Sequence, residues 1–336
     1  DKVQRRFSGY ISHNQYDTEL VSLLKGLLKC NHCGLPMNHR YKRRNYYYCV
    51  YTERTWKDTD RSKLPKFTYG VNTCSMKKSL VIQQTDEIVW DEVAGISIDH
   101  ENRLIVFVRG EIPVIILSTN GEYIDSFGKG EFTKRAHSVR VDSENFYWFV
   151  DDGNHTVSKY NSKGERLLTI GIPDKPSKLH SGIPFNRCTD IAVDYRNGAL
   201  FISDGYGNSS VHKYNLDGEL ITSWGAPGTD PGHFNIVHNI TMDDSGLLYV
   251  ADRENHRVQI FNQDGKFINQ IVNMHRPCTV TIFDSKLYVG ELGYGLPVSK
   301  DVPNIGPRIS LYSLNGELID RWGEGFGYGE KQLMAP

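Results

Sequence analysis

The 336 residues carry 39 Lys/Arg against 40 Asp/Glu, a balance that excludes a uniformly basic polyanion binder. No apolar run approaches the roughly 20 residues of a membrane-spanning helix. The best, Ile112–Leu117, is a strand's worth, and the opening DKVQRR has no signal-peptide core.

The charge is unevenly placed. Residues 1–90 hold 16 Lys/Arg against 8 Asp/Glu, and the remainder 23 against 32, which predicts a basic head and an acidic body with different partners. The acidic body would repel nucleic acid. Four of the six cysteines fall within residues 30–74. That clustering suits a metal site better than a disulfide framework, so a soluble, cytoplasmic chain is expected.

In the head, residues 1–93, the apolar stretch Leu20–Leu28 leads into Cys30-Asn-His-Cys33. A basic tract (His39–Arg44), an aromatic strand (Tyr46–Tyr51) and a late Cys74 follow. The spacing is C-x2-C, then 15 residues to Cys49, then 24 to Cys74. Four thiolates around one Zn²⁺, at about 2.3 Å, would staple a head this small. The second pair is split, so a lone C-x-x-C pair, with His32 or His39 as substitute ligands, is the plainer alternative. LLKGLLKCNHCGLPM, then YYYC, Cys74 and IVWDEV (Ile88–Val93) resemble the zinc β-ribbon domain of large serine recombinases over residues 20–93. The resemblance implies zinc on Cys30, Cys33, Cys49 and Cys74 and contact with DNA. It implies no recombination chemistry, because the serine-bearing catalytic domain is not in the sequence. Arg40, Lys42, Arg43 and Arg44 would meet phosphates in a salt-sensitive, sequence-blind way, unless they form only a solvated hairpin tip.

The body, residues 94–336, repeats. Asn120-Gly121, Lys163-Gly164, Asp217-Gly218, Asp264-Gly265 and Asn315-Gly316 each separate alternating apolar runs and predict tight hairpins. An acid marking an earlier turn (Asp99, Asp142, Asp194, Asp243, Asp284) recurs at intervals of 43, 52, 49 and 41 residues. Four short strands in such a period predict propeller blades. The units resemble NHL repeats. The expected fold is therefore mainly β: an NHL-type propeller with five full repeats and the start of a sixth, preceded by the zinc ribbon.

Register then selects residues. Five positions before each turn acid lies the start of the first strand: Ala94, His137, Thr189 and His238, with Cys278 as the fifth once Phe283 is treated as an insertion. These slots should face the channel. A sixth repeat starting at Gln332–Pro336 would place its slot at residue 337. Histidines in alternate slots predict a shared, open metal site, whereas a lone channel histidine is more often a hydrogen-bonded core residue. The turns after the second strand belong to the same end and carry Arg109, Tyr206 and Arg253. Beside a divalent cation Tyr206 could remove a proton, and the arginines could hold a carboxylate or an oxyanion. Asp151, Asp204 and Asp252 read as turn formers.

FVRGEIPV, AHSVRVD, CTDIAVDYRNGALFISDGYGNS, PGHFNIVHNITMD and YVADRENHRVQIF resemble the peptidyl-α-hydroxyglycine α-amidating lyases and their prokaryotic relatives, from about Gly95 to Pro336. The resemblance implies a six-bladed parent around a three-histidine zinc, cleaving a carbinolamide to an amide and glyoxylate. It implies His137 and His238 as two zinc ligands, Tyr206 as the base, and Arg109 and Arg253 at the active centre. It also implies calcium on the Ile96 and Val139 carbonyls. The third histidine would follow Pro336, so an impaired lyase is expected. The animal enzymes' disulfide cysteine is Gly207 here, consistent with a reducing compartment. The competing readings are a non-catalytic binding propeller and a DNA-binding ribbon with the propeller as cargo. A low-stability or dimerising ring is expected if strand edges stay unpaired.

Overall fold

The computed structural model describes residues 38–41, 45–48, 80–81, 92–299, 302, 305–323 and 333. The candidate ligands Cys30, Cys33, Cys49 and Cys74, and the bases Lys42, Arg43 and Arg44, lie outside the described residues. Strands β1 (Asn38–Tyr41), β2 (Asn45–Tyr48) and β3 (Leu80–Val81) form an antiparallel sheet in the order β1-β2-β3, with Asn38 opposite Tyr48 and Tyr46 opposite Val81. Arg40 sits on β1.

Five four-stranded sheets follow, the blades of a propeller. Blade one is β4 (Val93–Ile98), β5 (Arg103–Val108), β6 (Val114–Ser118) and β7 (Tyr123–Phe127). Blade two is β8 (Ala136–Val141), β9 (Tyr147–Asp151), β10 (Thr156–Tyr160) and β11 (Arg166–Ile170). Blade three is β12 (Cys188–Asp194), β13 (Ala199–Asp204), β14 (Ser210–Asn215) and β15 (Leu220–Trp224). Blade four is β16 (Val237–Met242), β17 (Leu248–Asp252), β18 (Arg257–Phe261) and β19 (Phe267–Ile271). Blade five is β20 (Pro277–Phe283), β21 (Lys286–Glu291), β22 (Arg308–Ser313) and β23 (Leu318–Trp322). The first strands β4, β8, β12, β16 and β20 lie side by side in that order.

Burial follows strand position. Every residue of β9, β13 and β17 is buried, whereas β7, β15 and β23 are mostly exposed. The core lies between blades. Trp148, Val150 and Val157 of blade two meet Ile191, Leu200 and Ile202 of blade three, and the same pattern joins blades three to four and four to five. Burying both faces of these sheets is the main stabilising term.

The five hairpins form where the Gly signature lies. Gly121, Gly164, Gly218, Gly265 and Gly316 all have φ between 77° and 90°, a region that L side chains avoid. Each donates its N–H to the carbonyl three residues earlier, as Gly218 does to Asn215 at 3.1 Å. A bulge accompanies it in the last three blades and in blade two, so the connection is a three-residue loop with a left-handed glycine and not a two-residue hairpin. Among the described residues no helix is long and apolar enough to cross a membrane.

Candidate functional site

Each first strand carries a β-bulge at its slot. The ladder skips Ala94 between Val93 and Gly95, His137 between Ala136 and Ser138, and Thr189 between Cys188 and Asp190. It skips His238 and Cys278 in the same way. A bulged residue is freed from the pairing pattern and its side chain is re-aimed. That is how the repeat delivers its variable residues to one place.

His137 and His238 meet there, with ring centroids 4.9 Å apart. Each is held by the slot of the following blade: His137 Nδ1 is 2.6 Å from the Thr189 carbonyl oxygen and His238 Nδ1 is 2.6 Å from that of Cys278. A carbonyl accepts only, so both Nδ1 atoms carry the proton and both Nε2 atoms present lone pairs. Burial pushes the protonation of both rings below the ordinary histidine range, for His238 well below, with His137 and Arg253 adding to the effect there. Both rings are therefore neutral at pH 7.

Tyr206 stands between them. Its hydroxyl is 2.9 Å from His238 Nε2 and 3.3 Å from His137 Nε2. One phenol proton cannot serve two acceptors, so one imidazole lone pair faces the phenol oxygen without a donor. Gly205 makes this placement possible: a Cβ there would lie 1.7 Å from the Val237 carbonyl oxygen. Arg253 Nη1 donates to the Tyr206 oxygen at 3.4 Å, while its Nε pairs with Glu254 at 2.7 Å. Arg109 Nε donates to the Ala136 carbonyl at 3.1 Å, next to His137, and its Nη1 pairs with Glu92 at 3.0 Å.

A repeated backbone bond holds the mouth loops over the slots. Arg109 N–H donates to the Glu92 carbonyl, Asp152 to Arg135, Tyr206 to Arg187, Arg253 to Ile236 and Leu292 to Arg276. In each case the acceptor lies two residues before a slot. The buried acids ending the second strands do more than form turns. Asp151 accepts from Thr133 N–H, Asp204 from Asn186, Asp252 from Asn235 and Glu291 from His275, so each ties down the loop leading into its own blade.

Sequence reasoning missed Arg187, whose guanidinium carbon lies 4.3 Å from the Tyr206 ring centroid. Its Nη2 donates to Asp152, which also holds Arg135. The signal was available in the register. Arg135, Arg187 and Arg276 all sit two residues ahead of a slot.

The residues fit a divalent cation in part. Two neutral imidazoles aim unprotonated nitrogens at one point, but among the described residues no group of three His, Cys, Asp or Glu side chains converges. The Cys278 thiol is engaged elsewhere: it donates to the Gly290 carbonyl, and burial pushes its pKa up to about 12. Ile96 and Val139 occupy matching positions on the adjacent strands β4 and β8.

Residues 234–261 match the family described as NHL repeat, and residues 23–94 match the recombinase zinc beta ribbon domain. A peptidyl-glycine alpha-amidating monooxygenase B of Xenopus laevis is 31% identical over 264 residues, covering 68% of this chain and 30% of that protein. A probable peptidyl-alpha-hydroxyglycine alpha-amidating lyase of Caenorhabditis elegans is 32% identical over 179 residues, covering 52% of this chain and 49% of that one. The chain thus spans under a third of the frog protein and about half of the nematode protein. Among solved structures, a streptogramin B lyase covers 70% of each chain with TM-score 0.52 at 17% identity, a likeness of fold.

Proposed function

We propose that the propeller is a metal-dependent lyase domain that cleaves a carbinolamide of the peptidyl-α-hydroxyglycine type to an amide and glyoxylate. The observation that carries this reading is the convergence of His137 Nε2 and His238 Nε2 on the Tyr206 hydroxyl. The likeness to two amidating proteins supplies the substrate class.

His137 and His238 would hold a zinc ion, which supplies a Lewis acid for the substrate oxygen when bound. The chain's own groups account for the rest. Tyr206 takes the proton of the substrate's α-hydroxyl. The oxygen pair then closes the C=O of glyoxylate, the C–N bond opens, and the amide nitrogen takes the proton back. Negative charge on the Tyr206 oxygen is met by the Arg253 N–H and by the Arg187 guanidinium against its ring. Arg109 and Arg253 hold the glyoxylate carboxylate at the mouth. Calcium on the Ile96 and Val139 carbonyls belongs to the same reading.

The ring this reading needs has six blades, and blade one supports it. Ile96 is 56% exposed, while the equivalent Val139, Ile191, Ile240 and Val280 are at most 3% exposed. Among the described residues no blade covers its face as a preceding blade covers each of the others. The slot rule also extends. If His137 uses the blade-three carbonyl and His238 that of blade five, a sixth-blade histidine would use the carbonyl of Ala94.

The test is glyoxylate release from an N-acyl-α-hydroxyglycine with zinc supplied, in this chain and in one extended by a sixth blade. Release that requires Tyr206 supports the proposal, and no release from the extended, zinc-loaded protein rejects it. For the head, the match over residues 23–94 supports a zinc ribbon that contacts DNA. Salt-sensitive DNA retention, lost when Cys30 and Cys33 are replaced, is the expected result.

A further inference from the structure

A cavity of about 520 Å³ opens between blades four and five, at the end of β16 opposite His238. Its wall includes Asp243, Asp244, Leu247, Tyr249, Ile260 and Leu314, and both charged groups in its lining are acidic. The equivalent places between the earlier blades show what normally fills it.

In each earlier blade the second oxygen of the turn aspartate accepts two hydrogen bonds, one of them from the next blade. Asp99 Oδ2 accepts from Arg103 and from Tyr147 of blade two, at 2.7 and 2.8 Å. Asp142 Oδ2 accepts from Trp148 and from Tyr195 of blade three, at 2.7 and 2.8 Å. Asp194 Oδ2 accepts from Asn197 and from Gln263 of blade four, at 2.8 and 2.7 Å. Among the described residues, Asp243 Oδ2 accepts only from Tyr249, in its own blade, at 3.2 Å. Asp243 is 7% exposed, so an acceptor position on a buried carboxylate faces the cavity.

The cause is local. Blade three turns through Tyr195–Gly198, but blade five turns in two residues, Asp284 and Ser285, both with left-handed φ of 49° and 53°. Among the described residues no blade-five side chain replaces Tyr195. In blade two Lys159, opposite Trp148, sends its ammonium over the Phe146 ring at 3.9 Å and donates to the Tyr195 hydroxyl at 3.0 Å. In blade four the residue in that register, opposite Tyr249, is Ile260, and Leu247 stands in place of Phe146. The space emptied is thus that of one phenol and one ammonium.

We propose that this cavity binds a small organic ammonium carrying an aromatic ring, with the ammonium or its attached donor on Asp243 and the ring against Leu247, Ile260 and Leu314. A carboxylate with a spare acceptor and an acidic neighbour selects a cation over a neutral donor. The apolar wall selects an arylalkyl body over a bare polyamine.

The experiment is calorimetric titration of the full chain with tyramine, and with 4-(2-hydroxyethyl)phenol, its neutral counterpart. Saturable one-to-one binding of tyramine is expected, at least tenfold tighter than the alcohol. Ile260→Lys puts an internal ammonium where Lys159 has one and should weaken tyramine at least tenfold with the circular dichroism spectrum unchanged. Asp243→Asn should do the same, and Ile260→Lys decides the matter if that variant misfolds. Equal affinity for the two probes, unaltered tyramine binding in Ile260→Lys, or no saturable binding at millimolar tyramine would each overturn the proposal.

Discussion

His137 Nδ1 donates to the backbone carbonyl of Thr189, one blade further on, at 2.6 Å. Two bulges are needed for that bond, one to turn the ring inward and one to free the carbonyl. Repeated between His238 and Cys278, it fixes the tautomer of both rings without any polar side chain. Long-range ¹⁵N correlation spectra of the metal-free chain should show protonated Nδ1 and bare Nε2 for both residues. A protonated Nε2 on either would contradict the orientation.

Tyr206→Phe keeps the ring packing against Arg187 and removes only the oxygen between the imidazoles. In a chain that releases glyoxylate, kcat should fall about 10²–10⁴-fold, with zinc affinity and KM nearly unchanged. A loss confined to KM would make Tyr206 a binding group.

Arg140 of blade two reaches residues on the first strands of blades three, four and five. Its guanidinium holds both oxygens of Asp190, which is 0% exposed, and reaches Asn239 Oδ1 at 3.0 Å. Arg140→Met should cost about 3–5 kcal/mol in urea unfolding by stranding a buried carboxylate. Adding Asp190→Asn should recover part of that loss. An unchanged midpoint in the single variant would show that the pair contributes nothing.

Asp99 gives a pH signature. Burial alone would raise its carboxyl, but the Arg103 N–H, the Tyr147 hydroxyl and the Arg103 guanidinium together hold it below its ordinary value of 3.8. A lowered folded pKa means stability that is complete above 3.8 and lost as pH falls through the folded value. The stability gap between the native chain and Asp99→Asn should therefore be constant at neutral pH and narrow below 3.8. A gap independent of pH down to about pH 2 would count against the ion pair with Arg103.

Much of this was legible from periodicity. Turn acids and the Asn-Gly, Lys-Gly or Asp-Gly pairs placed all five blades, and counting back from the acids placed His137 and His238 in equivalent slots. Tyr206, Arg109 and Arg253 were found as residues that their turns did not require. The bulges were not legible, because ladder slippage depends on pairing with the second strand. The spare acceptor of Asp243 was hidden for a similar reason: it depends on the length of a turn in the next blade. Arg187 was overlooked because nothing in its own loop marks it, although Arg135 and Arg276 share its register.

The most direct test of the account is zinc titration of the full chain against a chromogenic chelator, beside the His137→Ala/His238→Ala double variant. The paired imidazoles predict that the variant binds one zinc equivalent fewer while its thermal unfolding stays cooperative. The same zinc uptake in both proteins would contradict a metal centre at these two histidines.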